Sequence, residues 1–132
     1  MDASENLNIT ISRATGRVPV TILHLDGRIN LGTAEQLIAE AEKAIRAGTR
    51  YLLLDLAQVY SMSSAGLRAL TYIAKSLRFA AAADESRVQS SARSPYLKLL
   101  KPAPEVLRVL QIAGYDLFVD ILEDEGQAVA SF

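Results

Sequence analysis

The stretch Tyr51-Leu52-Leu53-Leu54-Asp55-Leu56 narrows most sharply what this chain can fold into. A short, almost continuous apolar run has no polar face to offer water, so it reads as a strand buried on both sides. Such a strand needs a layer above and a layer below, and the flanking segments supply helices. Before it, Leu37, Ile38, Ala41, Ala44 and Ile45 fall on one helical face. Thr33 followed by Gln36 matches a capping box at that helix's start, and Gly48 stands where a left-handed cap would end it. After the run, a helix should begin within Ser63-Ser64-Ala65, with Leu67, Leu70, Ala74, Leu77 and Ala81 as its inner stripe.

The remaining segments extend the same pattern. Leu7, Ile9 and Ile11 alternate with polar residues, Thr15-Gly16-Arg17 supplies a turn, and Val18 to Leu25 reads as a second strand, giving a hairpin. Asp26-Gly27-Arg28 is expected to break that strand. Ala83 to Pro95 has no apolar period and reads as a surface loop. Tyr96 to Leu100 is a further strand, stopped by Pro102 and Pro104. Val106, Leu107, Val109, Leu110 and Ala113 give the next helix its apolar face, and Gly114 ends it. Leu117 to Leu122 could form a last strand, and Asp124 with Gln127 could cap a terminal helix. The expected fold is α/β: one domain over residues 1–132, its core spanning about 7–129, with a mixed, mostly parallel β-sheet, an N-terminal β-hairpin and covering helices.

Composition removes several classes of function. A formal net charge of -1 argues against an electrostatic nucleic-acid or membrane binder. The absence of cysteine excludes disulfides, thiolate metal sites and cysteine nucleophiles, and fits a reducing cytoplasm. The polar, acidic opening Met1 to Asn6 is the opposite of a signal peptide's, and no apolar run approaches the ~20 residues that cross a bilayer. The expected location is the cytoplasm.

The most informative chemistry lies in Asp55-Leu-Ala-Gln-Val-Tyr-Ser-Met-Ser-Ser-Ala-Gly-Leu-Arg68. A buried strand ends, a short polar loop follows, and a helix starts beside two hydroxyls. A helix start favours an anion, so a phosphoserine carrying about -1.5 to -2 charges is tolerated there. The same charge would repel an acidic or apolar partner surface. The plain alternative is that Ser63 or Ser64 merely caps the helix. The motif is not the hydrolase GxSxG, since no glycine lies two residues before Ser64.

This stretch resembles the signature of STAS domains in anti-sigma factor antagonists. Asp26-Gly-Arg-Ile-Asn-Leu-Gly-Thr33 is similar to the family's loop between its second strand and first helix, and Leu110-Gln-Ile-Ala-Gly-Tyr-Asp-Leu-Phe118 to its late helix and last-strand approach. The resemblance implies a STAS-like fold and a protein-binding switch. The unphosphorylated antagonist binds a GHKL-type protein that is both anti-sigma factor and serine kinase, which releases a sigma factor; phosphorylation ends the interaction and a PP2C-type phosphatase resets it. Neither catalytic residues nor a cofactor nor a metal is implied. Many members carry the phosphoacceptor directly before the glycine, where this chain has Ala65; a subgroup reads Ser-Ser-Ala-Gly-Leu-Arg, and there the second serine is the expected acceptor. The resemblance therefore points to Ser64, with Ser63 in reserve. It also points to Asn30, Thr33, Met62, Ser63, Ser64, Gly66 and Arg68 as the partner-binding set, with Asn30 standing where relatives often have aspartate.

Two other functions stay open on the sequence. The chain could be a constitutive or scaffold STAS protein that has lost its switch, with Ala65 as the sign. It could be a small serine hydrolase with Ser64 as nucleophile, for which His24 is the only imidazole. His24 otherwise fits an ordinary sheet position. With one histidine and no cysteine, a metal site would need mostly carboxylates, which suit magnesium or calcium. Asp120, Glu123, Asp124 and Glu125 lack EF-hand spacing and read as a solvated terminus. Arg68 and Lys75 should lie on the outer side of the second helix.

Overall fold

A computed structural model describes residues 7–85 and 93–132. β1 (Asn8–Thr15) and β2 (Pro19–Ile29) form the expected antiparallel hairpin. β3 (Leu52–Met62), β4 (Leu97–Leu100) and β5 (Asp120–Leu122) follow, each parallel to its neighbour, in the spatial order β1-β2-β3-β4-β5. The connections are α1 (Leu31–Arg46), α2 (Ser64–Glu85) and α3 (Pro104–Ile112), and α4 (Glu125–Ala130) closes the chain. The apolar run thus supplies the middle strand of a mixed five-stranded sheet. Among the described residues, no helix is long and apolar enough to cross a membrane.

Strand alternation sorts the side chains onto two faces. Leu23, Leu25, Leu52, Leu54, Leu56, Leu97 and Leu99 turn one way, into a core closed by Leu37 and Ala41 of α1, Leu70, Ile73 and Leu77 of α2, and Val106 and Leu110 of α3. Each such leucine or isoleucine, fully buried, contributes about 1.5–3 kcal/mol relative to exposure. Val20, Ile22, Leu53 and Leu100 turn the other way, onto Ala128 and Val129 of α4. Among the described residues α4 is the one helix packed on this second face, which also carries Ser12, His24 and Asp55.

The structure corrects four local readings. Strand β2 does not break at Asp26-Gly27-Arg28; it runs on to Ile29, with Gly27 at φ 134, a conformation open to glycine. No polar loop follows Leu56 either, because β3 continues to Met62. Between the pairs His24↔Asp55 and Asp26↔Gln58, and again between Gly27↔Val59 and Arg28↔Ser61, β3 holds one residue more than β2. These bulges break the period-2 pattern, so the buried side chains fall at Leu56, Val59 and Met62, three apart.

At the start of α1 the capping box is formed by Asn30 and Thr33, not Thr33 and Gln36. Gln36 instead accepts from the Leu7 amide at 3.2 Å and donates to the Leu7 carbonyl, tying α1 to the start of β1. Finally, the expected loop from Ala83 begins later, because α2 extends to Glu85. Alanine is the best helix former, so Ala80 to Ala83 carry the helix on, and Arg50 holds Asp84 at 2.6 Å. Residues 86–92 of that loop lie outside the described residues. Its far end is not at the surface: Ser94 is buried, and its hydroxyl accepts from the amides of Tyr96 and Leu97.

Candidate functional site

Because of the two extra residues in β3, Ile29 and Met62 end their strands side by side. The Ser63 amide donates to the Ile29 carbonyl at 2.9 Å, so both strands stop level and α1 and α2 start next to each other. Each helix start is capped from its own sequence. Asn30 Oδ1 accepts from the amides of Gly32 (2.9 Å) and Thr33 (3.1 Å). Thr33 Oγ1 accepts from the Asn30 amide (3.0 Å) and donates to the Arg28 carbonyl (2.7 Å). Thr33 is buried, so its hydroxyl locks the β2–α1 junction from inside.

At α2 the two serines divide the work. Ser63 is the cap: its Oγ accepts from the Ala65 amide at 3.2 Å, and its carbonyl accepts the first helical bond, from Leu67, at 3.1 Å. Ser64 is the first helical residue, exposed, and its hydroxyl bonds to none of the described residues. Ala65 turns inward and is buried. Gly66 is needed for contact: a Cβ there would lie 2.8 Å from Met62 Cγ and 2.9 Å from Ile29 Cγ2. Neither α1 nor α2 has an acidic residue in its first turn, so two positive helix ends meet here with no carboxylate of their own.

The structure therefore brings Asn30, Thr33, Met62, Ser63, Ser64 and Gly66 to one end of the sheet. Met62 and Thr33 are buried and act as support, whereas Asn30 is half-buried and Ser63 and Ser64 are open. Arg68 is exposed one turn further along α2, and Lys75 is exposed too, both as expected.

Sequence pattern missed part of this surface. Leu31, the first residue of α1, is 78% exposed beside the Asn30 cap. Its spacing from Ala34 and Leu37 continues the buried stripe, so nothing in the pattern marks it as surface. Tyr60, 52% exposed, carries the Arg28 guanidinium 5.4 Å from its ring centre. Tyr60, Met62, Arg108, Val109 and Ile112 line an open groove of about 250 Å³ between the end of β3 and α3.

His24 does not serve Ser64. Its Nε2 is 2.8 Å from Ser12 Oγ and its Nδ1 is 2.7 Å from Asp55 Oδ2, so both ring nitrogens are engaged by other residues on the face that α4 covers. The chain's only histidine is thereby spoken for, and the hydrolase reading of Ser64 loses its base. Of the late acids, Glu123, Asp124 and Glu125 are exposed as expected, but Asp120 is not simply solvated. Asp120 is half-buried and pairs with Lys98 (3.2 Å) and Arg93 (3.0 Å), and Asp124 caps α4 by accepting from the Gln127 amide at 2.8 Å.

Comparison with known proteins decides what this geometry belongs to. A family model for the STAS domain matches residues 12–82. BtrV of Bordetella bronchiseptica, named as a candidate anti-sigma factor antagonist, is 31% identical over 126 residues, covering 96% of this chain and 95% of BtrV. The chain belongs to the STAS-domain family of anti-sigma factor antagonists. Members are partner-switching regulators rather than enzymes, and the family's partner is an anti-sigma factor.

Solved structures agree on the fold. An anti-sigma factor antagonist from Mycobacterium paratuberculosis superposes with a TM-score of 0.73 at 16% identity, over 99% of this chain and 97% of that one. The unphosphorylated form of SpoIIAA superposes with a TM-score of 0.66 at 18% identity, over 92% and 93%. SpoIIAA from Bacillus has been solved in its phosphorylated form as well, with a TM-score of 0.61 at 19% identity over 92% and 96%. The STAS match covers β2, α1, β3 and most of α2, the elements that build the paired helix starts.

Proposed function

We propose that this STAS domain, acting as one unit over residues 1–132, is a phospho-switched antagonist whose acceptor is Ser64. Unphosphorylated, it binds a GHKL-type protein that is both anti-sigma factor and serine kinase, and so releases a sigma factor in the cytoplasm. Phosphorylation of Ser64 by that kinase ends the interaction, and a PP2C-type phosphatase restores it. The observation that carries this reading is the division between the serines: Ser63 is committed to capping, while Ser64 presents a free hydroxyl at an uncompensated helix start. Burial of Ala65 supports it, since the position that many members use for the acceptor here faces inward.

The physics of the switch is local. A phosphate on Ser64 would meet the first-turn amides of α2 and the dipole of a helix with no acid in that turn. The fold can accept the charge, whereas a partner lying over Leu31, Ser63 and Ser64 would have to bury or repel it. The test is incubation with the cognate kinase and ATP followed by mass spectrometry, together with pull-downs of Ser64→Ala and Ser64→Asp. The switch predicts phosphate on Ser64 and a large loss of partner affinity for Ser64→Asp alone. Unchanged affinity of Ser64→Asp would instead identify a constitutive scaffold.

A further inference from the structure

The second face of the sheet holds a polar cluster that the switch does not use. His24 of β2 and Asp55 of β3 are paired residues on adjacent strands, their side chains 33% and 20% exposed. Glu125, the first residue of α4, reaches the same place: one ligand atom each from His24, Asp55 and Glu125 lie within 4.8 Å of one another. We propose that these three residues bind a divalent transition cation of the zinc type, which clasps α4 to the sheet.

Three features of the cluster suit a cation rather than a simple ion pair. The first is the outer support of the ligands. Ser12 Oγ holds His24 Nε2 at 2.8 Å, which turns Nδ1 toward the two carboxylates. Asp55 Oδ1 accepts from the Ala57 amide at 3.0 Å, where the first β3 bulge disturbs the ladder, which aims Oδ2 at the ring. Imidazole and carboxylate ligands held from behind in this way are the usual construction of a transition-metal site.

The second is the free carboxylate. Asp124 caps α4, so Glu125 is not needed there, and it bonds to none of the described residues. Its exposed carboxylate is therefore uncommitted and can turn toward a cation held by His24 and Asp55.

The third is the proton balance. An ionised Asp55 can only accept, so Nδ1–H donates to it, and in a neutral ring Nε2 then accepts from the Ser12 hydroxyl. On binding, the proton transfers to Nε2, which then donates to Ser12 Oγ, and Nδ1 offers its lone pair to the cation. A hydroxyl serves as acceptor or donor equally well, so Ser12 supports both tautomers.

The geometry is within reach. Ligands at ~2.1 Å from a tetrahedral zinc lie about 3.4 Å apart. The His24–Asp55 contact of 2.7 Å must open slightly, and the exposed Glu125 must swing inward. A water completes the fourth position. The mix of one nitrogen and two oxygens favours zinc and its transition-metal neighbours over magnesium, which asks for six oxygens. The lone histidine and lack of cysteine argued against such a site from sequence, since pattern alone could not place a residue of α4 beside β2 and β3.

The deciding experiment is calorimetric titration of the full chain with zinc chloride, with magnesium chloride as control and thermal melting as second readout. One equivalent of zinc should bind in the micromolar range, unaffected by excess magnesium, and should raise the melting temperature. Glu125→Gln, on an exposed helix start, should fold normally yet weaken binding tenfold or more, and His24→Gln should abolish it. Ser12→Ala leaves all three ligands in place and should cost about tenfold through loss of ring orientation. Absence of saturable zinc binding would overturn the proposal. So would wild-type affinity in both Glu125→Gln and His24→Gln, which would mean an adventitious ion bound elsewhere.

Discussion

The two adjacent serines offer the sharpest test of the site, because the structure gives them opposite roles. Replacing Ser63 by alanine removes the acceptor for the Ala65 amide. Such caps are worth about 0.5–2 kcal/mol. Here the bond is 3.2 Å long and the residue is exposed, so water replaces part of it and the cost should fall at about 0.5–1 kcal/mol. Replacing Ser64 by alanine breaks no hydrogen bond to the described residues and puts the best helix former at an exposed position, so stability should stay within about 0.5 kcal/mol. Ser64→Asp should stabilise by about 0.3–1 kcal/mol, since a negative charge there meets the helix dipole. Urea unfolding resolves these differences. With a slope of about 2 kcal/mol/M, Ser63→Ala should lower the midpoint by about 0.3–0.5 M with the slope unchanged, and Ser64→Asp should raise it. If Ser64→Ala costs more than Ser63→Ala, the cap has been assigned to the wrong serine and the free hydroxyl is Ser63; equal costs would refute the division between them.

Gly66→Ala would drive a methyl group to 2.8 Å from Met62 Cγ and 2.9 Å from Ile29 Cγ2, so a loss of about 1–3 kcal/mol is expected in the same urea assay. Thr33→Val keeps the shape of a buried side chain but leaves the Asn30 amide and the Arg28 carbonyl without their partner. It should cost about 1–3 kcal/mol, and a neutral result would mean the box contributes nothing. The hydrogen bond from Arg50 holds the Asp84 carboxyl below its usual range, with the Arg50 charge adding to it. A depressed carboxylate stabilises the fold above its unfolded-state pKa and loses that contribution as pH falls through the folded one. NMR titration should show Asp84 titrating low in the wild type and returning toward the ordinary value in Arg50→Gln.

How much of this was legible depended on whether pattern and packing agreed. The order of elements and the middle strand could be read because Tyr51 to Leu56, the alternation of Leu7, Ile9 and Ile11, and the α2 stripe each obey one period. Strand β3 defeated the reading beyond Leu56, since bulges space Leu56, Val59 and Met62 three apart and a strand then looks like loop. The α1 cap was misplaced by three residues because Asn30 and Thr33 are both good capping residues, and only the bond from Thr33 to the Arg28 carbonyl shows which one starts the helix. At the site, the motif located the serines but could not divide them. Their roles follow from a 3.2 Å bond that one hydroxyl makes and the other does not.

The bulges that hid β3 are also what sets the two helix starts side by side. Without the two extra residues, Met62 would not draw level with Ile29, and the Ser63 amide would not meet the Ile29 carbonyl. The starts of α1 and α2 would then stand apart, and Ser64 would lie beside one helix end rather than two. In the proposed switch this placement separates two energies. A phosphate on Ser64 faces amides and dipoles that favour it, so the fold gives up little stability when the residue is modified. The partner meets the same charge across an exposed surface that includes Leu31, with no helix end of this chain left to neutralise it. Phosphorylation would then act almost wholly on binding, which is why Ser64→Asp is expected to raise the urea midpoint while lowering partner affinity.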